Sequence, residues 1–185
     1  MRVPAAASPP VDLVPIAPEH RETIYRWYED PERVAPFDRY EPESFPEFVR
    51  SVEEAPGDPR SLAPRFSVLA REGGQLVGCV GHYRPHPILE TIEVWYLIGE
   101  PSARGRGFGA AAVGALIDRL YATTDVERVG ATCDVENVAS YRLLERLGLE
   151  RQGRLPAALF HHGRWHDVFL YGTTRSAWAR AGPGR

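Results

Sequence analysis

Apolar and polar residues alternate with two different periods along the chain. In residues 107–121, Val113, Leu116, Ile117 and Leu120 recur at i, i+3, i+4 and i+7, the spacing that keeps one helix face in a core. Residues 20–30 follow the same rule through Ile24, Trp27 and Tyr28, with Pro18 opening the helix and Pro31 stopping it. Residues 44–54 carry Phe45, Phe48, Val49 and Val52 on one side. A further helix is predicted over 137–147, with Asn137 as its N-cap and Gly148 as a left-handed C-terminal cap. Between the helices, short runs rich in branched and aromatic residues predict strands at 11–16, 66–70, 76–83, 91–98, 128–133, 149–155 and 165–173. Glu72-Gly73-Gly74-Gln75 is a hairpin turn, and short links imply that the strands from 66 to 98 form an antiparallel meander. Residues 55–64, with Pro56, Gly57, Pro59 and Pro64, and residues 156–164 read as loops. The predicted fold is α/β, a single mixed-sheet domain over residues 11–178 in the order β-α-α-β-β-β-α-β-α-β-β. Residues 1–10, with three prolines and a short alanine run, read as a disordered leader, and residues 179–185 as a flexible tail.

Composition narrows the class. A chain of 185 residues is long enough for one well-buried core. A net charge of −3 and a pI of about 6.1 disfavour a dedicated nucleic-acid partner. No run approaches the roughly 20 apolar residues of a membrane helix, and residues 3–10 are too short and proline-rich for a signal-peptide core. No membrane partner and a cytoplasmic location are therefore expected. Internal repeats are absent. Cys79 and Cys133 each fall inside a predicted strand, where a buried inert thiol is expected. His162 and His166 lie four apart in His161-His162-Gly163-Arg164-Trp165-His166, without the helical pattern or adjacent Glu of a zinc motif. That stretch is read as a surface loop, and no metal is expected.

The sharpest chemical signal is Arg104-Gly105-Arg106-Gly107-Phe108-Gly109-Ala110, placed between a strand and the long helix. Glycines let a backbone approach a ligand closely, exposed N–H groups at a helix start attract phosphate, and the arginines add positive charge. The Gly-Lys-Ser/Thr of a P-loop is missing. Gly105-x-Gly107-x-x-Ala110 fits a relaxed dinucleotide fingerprint, with Asp134 near the place of a ribose-binding acid. Against it, a loop through Pro101 separates strand from glycines, and the upstream strands lack βαβ spacing. A dinucleotide-dependent oxidoreductase stays open as an alternative.

Arg104-x-x-Gly107-x-Gly109 resembles the coenzyme A signature, R/Q-x-x-G-x-G/A, of the GNAT acetyltransferase superfamily. Asn137-Val138-Ala139-Ser140 and Gly148-Leu149 resemble the tail of the same pattern. Asp167-Val168-Phe169-Leu170-Tyr171 after Gly163-Arg164-Trp165, and Trp27-Tyr28-Glu29-Asp30-Pro31-Glu32, are similar to the RimJ/RimL branch. The resemblance implies an acyltransferase with acetyl-CoA as acyl donor and a small-molecule or peptide amine as acceptor. Arg104, Gly105, Arg106, Gly107, Gly109 and Ala110 would cradle the pyrophosphate. The backbone of Leu97 and Ile98 would pair with the pantetheine amides, and Asn137 would contact the same arm. Glu93, eleven residues before Arg104 in an otherwise apolar strand, would be the general base. Ser140 would donate to the departing thiolate, or else is an ordinary first-turn residue. Many relatives place a tyrosine acid where this chain has Leu144, so that acid is excluded here.

Tyr28 and Trp95 are expected to wall the acceptor pocket, and Arg164 to bind an acceptor carboxylate. Attack is expected to be direct, because neither cysteine has a nucleophile's context. A polycation would want a ring of carboxylates; the loop before Asp167 has none, and Glu29, Asp30 and Glu32 supply only part of one. A singly charged amine is therefore the preferred acceptor. A homodimer is carried as a candidate assembly, and a non-catalytic coenzyme A sensor as a further alternative.

Overall fold

The computed structural model describes residues 10–30, 43–86 and 88–181. In chain order they form β1 (Val11–Pro15), α1 (Pro18–Glu29), α2 (Phe45–Glu54), β2 (Phe66–Ala70), β3 (Leu76–Tyr83), β4 (Thr91–Leu97), α3 (Phe108–Thr123), β5 (Arg128–Asp134), α4 (Val138–Arg146), β6 (Glu150–His161), β7 (Arg164–Thr174) and α5 (Arg175–Ala181). This is the predicted order with α5 added, so residues 179–181 are helical rather than tail. The rest of the expected tail, 182–185, and residues 1–9 of the expected leader lie outside the described residues, as does Glu32. No helix among the described residues is long and apolar enough to cross a membrane.

The strands make one mixed sheet in the order β1-β2-β3-β4-β5-β7-β6. Every neighbouring pair is antiparallel except β4 and β5. That parallel pair is short, running from Thr91↔Arg128 to Glu93↔Gly130. Beyond it β4 stays paired with β3 as far as Cys79↔Leu97, while β5 stays paired with β7 as far as Asp134↔Val168. The two strands therefore part, and the facing backbone of β4 past Glu93 is left without a strand partner.

Strand alternation sends successive side chains of β4 to opposite faces. Ile92 and Val94 join the larger core, with Val113, Leu116 and Ile117 of α3 and Leu144 of α4. Leu97 and Trp95 face the other way, against Ile24 and Trp27 of α1 and Phe48 and Val52 of α2. Ser44 caps α2 through a reciprocal capping box with Glu47, and Arg21 of α1 reaches Glu53 of α2 at 2.8 Å.

The expected loop at 156–164 is instead the end of a long hairpin. β6 runs to His161 and β7 starts at Arg164, leaving His162 and Gly163 as the turn. Both have positive φ, 49° and 76°, which is the backbone of a tight twisted hairpin turn. Two features hid it. The register shifts between Leu155 and Leu159, with Ala157 at φ 47°, so the alternation breaks. Pro156 then reads as a breaker, although proline is tolerated on an edge strand such as β6. Asp167 holds the bulge, accepting from Ala157 N at 2.8 Å and from Arg154 Nε at 2.6 Å.

Candidate active site

The gap between β4 and β5 opens into a cleft of about 460 Å³ against the starts of α3 and α4. Leu97, Ile98, Arg104, Gly105, Gly107, Gly109, Ala110, Asn137 and Ser140 all line it. The glycine turn is shaped by left-handed backbone: Gly105 has φ 71°, and Gly107, the N-cap of α3, has φ 90°. Gly109 answers a different need. A Cβ there would lie 2.8 Å from Leu143 Cδ1, so its bareness lets α3 and α4 close together. Arg104 Nε donates to Ile98 O at 3.2 Å and ties the turn to the end of β4.

Arg106 departs from its predicted place. It is not among the residues lining the cleft; its guanidinium donates to Ser102 O at 3.3 Å and sits 5.5 Å from the Phe108 ring. The positive charge facing the cleft comes from Arg104 together with Arg142 and Arg146 of α4, which the sequence reading missed. Their i, i+4 spacing one turn beyond a capping Asn137 was the available signal.

Asn137 Oδ1 accepts from Ser140 N at 3.1 Å and closes the first turn of α4. Ser140 Oγ lies 2.8 Å from the hydroxyl of Tyr96, a second missed residue. Burial pushes the Tyr96 phenol well above its usual range, so it stays protonated. Its position three residues from Glu93 sets it on the opposite face of β4, beside α4.

Glu93 stands where β4 and β5 cease to pair. Tyr83 Oη and Thr132 Oγ1 both donate to its Oε2, each at 2.9 Å, leaving Oε1 unused by either. Burial, reinforced by the nearby carboxylate, raises the Tyr83 phenol and keeps it a donor. Trp95 is on the same face as Glu93; its indole lies over Gly81, where a Cβ would come within 2.4 Å of it, and its Nε1 is buried without a hydrogen-bond partner. Tyr28 meets Trp95 edge-on at 6.2 Å and completes an aromatic wall.

Two expectations are corrected further along the face that Glu93 shares with Thr132 and Asp134. Arg164 is committed to Glu136, which it contacts at 3.0 and 2.7 Å, rather than open to an acceptor carboxylate. His161 and His166 are buried beside Asp134 rather than displayed on a surface loop. Both cysteines are buried, with thiols pushed up to about 12 for Cys79 and about 11 for Cys133, mainly by burial. Burial thus disfavours the thiolate form of both.

The topology lends no support to the dinucleotide alternative. The strand before the glycines is flanked by an antiparallel β3, and a 3-10 turn, Pro101–Ala103, intervenes before the helix. The immediate strand-to-helix turn of a parallel βαβ unit is not built here.

A model of the family described as Acetyltransferase (GNAT) domain matches residues 11–150. The uncharacterized N-acetyltransferase YnaD of Bacillus subtilis is 25% identical over 116 residues, covering 63% of this chain and 67% of that protein. Among solved structures, spermidine N-acetyltransferase from Vibrio cholerae in complex with CoA and spermine matches with a TM-score of 0.79 at 20% identity, covering 91% of this chain and 98% of that one. RimJ from Mycobacterium smegmatis in complex with CoA-disulfide matches with a TM-score of 0.75 at 21% identity, covering 92% and 87%. At these identities the two structures establish a shared fold.

Proposed function

The chain belongs to the GNAT acetyltransferase family, and from that premise we propose that it moves the acetyl group of acetyl-CoA to a primary amine by direct attack of the amine on the thioester, with Glu93 as general base. The observation that carries this reading is the parting of β4 from β5 just beyond Glu93. On one face the gap joins the glycine turn and the arginines of the cleft. On the other it meets Glu93, Trp95 and Tyr28. A thioester arm threaded through the gap can use the unpaired edge of β4 as an added strand would, and its acyl carbon then meets an amine arriving beside Glu93.

Glu93 takes the ammonium proton, directly or through one water, because an alkyl ammonium has a pKa near ~10.4 and is charged at neutral pH. The free amine forms the new C–N bond at the thioester carbonyl, and the C–S bond breaks as the tetrahedral oxyanion collapses. The attacking nitrogen's second proton passes to the departing sulfur through the Ser140 hydroxyl, which gives up its own proton as it takes the new one and lies 2.8 Å from the Tyr96 hydroxyl. This pair replaces the tyrosine that Leu144 lacks; Leu144 itself is fully buried.

The acceptor is a singly charged amine, such as an amino acid or a peptide N-terminus, as in the RimJ/RimL branch. Glu93 is flanked by neutral aromatic walls, and several acids of the α1–α2 region are spent on local partners: Glu22 on Arg26, Glu43 on Ser51, Glu47 on Ser44 and Glu53 on Arg21. Among the described residues, these acids are paired locally rather than gathered into the ring of carboxylates a polyamine would want. Initial rates of CoA release, read with a thiol reagent over a panel of amines, test the proposal. Higher kcat/KM for an α-amino acid or peptide N-terminus than for spermidine is expected. Spermidine as the much better acceptor overturns the acceptor class, and no CoA release with any amine overturns catalysis in favour of a coenzyme A sensor.

A further inference from the structure

Away from the acetyl-transfer cleft, the fold brings together three side chains of metal-ligating type. Asp134 ends β5, His161 ends β6 and His166 stands on β7. They are 3%, 7% and 4% exposed. Asp134 Oδ2 lies 2.5 Å from His161 Nε2 and 3.1 Å from His166 Nδ1. The two imidazoles stack with centroids 3.6 Å apart and planes 22° from parallel. One ligand atom from each residue falls within 4.8 Å of the others.

Local chemistry asks for a cation at this point. A buried carboxylate persists where it is paired or coordinates a metal. Asp134 Oδ1 accepts from Glu136 N at 2.7 Å, while Oδ2 is hydrogen-bonded with His161 Nε2 and also faces the His166 ring. Among the described ion pairs, no arginine reaches Asp134; Arg164 goes to Glu136 instead. His166 Nδ1 approaches the carboxylate without hydrogen-bond geometry, and neither nitrogen of this buried ring has a hydrogen-bond partner. A ring wholly unpaired in the interior is costly, and a metal ion at Nδ1 would satisfy one of its two nitrogens.

We propose that Asp134, His161 and His166 form a binding site for a divalent transition-metal ion of the zinc class. Two imidazoles and one carboxylate are the N/O donor set such ions take, usually with a fourth position left over. Glu136 is in reach of that position, its Oε2 being 3.6 Å from His166 Nδ1 at the exposed rim. His161 ligates through Nε2 and His166 through Nδ1, and the opposite ring nitrogens keep their protons. The ion has a defined mechanical place. Asp134 O and Oδ1 hold Asn137 N and Glu136 N, so this residue shapes the turn that delivers Asn137 and Ser140 to the cleft. Metal at Asp134 ties that turn to the β6–β7 hairpin.

The test is metal binding by the untagged full chain, stripped with a chelator and then incubated with zinc chloride or cobalt chloride. Retention of about one zinc per chain through gel filtration is expected for a single site, with a visible ligand-field absorption for cobalt. His166→Gln should lose both. His162→Asn should keep both, since asparagine tolerates the left-handed backbone of that neighbouring turn position. Side-chain 15N spectra of the wild-type chain need no variant: zinc should shift the ring nitrogens of His161 and His166 and leave those of His162. No retained metal, binding that moves His162 instead, or undiminished binding by a folded His166→Gln overturns the site.

Discussion

At the scale of single residues, the proposed mechanism puts the base at Glu93, and its neighbours fix its geometry. Two hydroxyls on Oε2 orient the carboxylate while Oε1 remains for the acceptor. Glu93→Gln keeps that shape and removes the basicity. A fall in kcat of roughly 10²-fold at neutral pH is expected, within the usual range for loss of a general base, with the affinity for acetyl-CoA unchanged. The sign of the pH dependence follows from the acceptor. As pH rises toward the amine's own pKa, more amine arrives without its proton and the base matters less, so the deficit should shrink. Stopped-flow rates over a pH series check this; a deficit of the same size at every pH would make Glu93 a positioning group. Glu93 stands out in the sequence as a carboxylate in an otherwise apolar strand. Tyr96 does not, since a tyrosine in such a strand looks like packing until α4 brings Ser140 to its hydroxyl. Arg106 and Arg164 misled for the opposite reason: sequence shows a charge but not that Ser102 O or Glu136 already holds it.

At the scale of elements, the strands and helices could be read where a period runs uninterrupted, as in β2, β3 and α3. The β6–β7 hairpin escaped because a bulge resets its alternation and an edge strand buries little. With it went the burial of His161 and His166, which depends on pairing between strands rather than on spacing. Close approach of α1 to β4 is likewise invisible in sequence, although Gly99 marks it. A Cβ at Gly99 would fall 1.8 Å from the Trp27 ring, which is buried on α1. Gly99→Ala should therefore push α1 off the sheet and cost about 1–3 kcal/mol, the usual range for overpacking. Urea unfolding with a lowered midpoint and an unchanged slope would bear this out, whereas an unchanged midpoint would mean that Trp27 yields without cost.

At the scale of the whole molecule, one sheet is continuous at both ends and divided in the middle. β4 belongs with β3 and β5 with β7, and past Glu93 nothing in the sheet itself bridges them. A ligand that fills the division joins the two halves and must stabilise the native state by mass action. For acetyl-CoA at about 100 times its Kd the gain is about 2.7 kcal/mol, and for a chain of this length each kcal/mol moves Tm by about 2–4 °C. Gly107→Val keeps the sheet but places a branched side chain on a left-handed N-cap at φ 90° and spoils the turn that receives the pyrophosphate. The decisive measurement is thus the melting temperature of the wild-type chain and of folded Gly107→Val, each with saturating acetyl-CoA and, separately, NADH. A rise of about 5–10 °C with acetyl-CoA in the wild type, lost in the variant and absent with NADH, is the predicted result; no rise with acetyl-CoA, or an equal rise in both proteins, would contradict it.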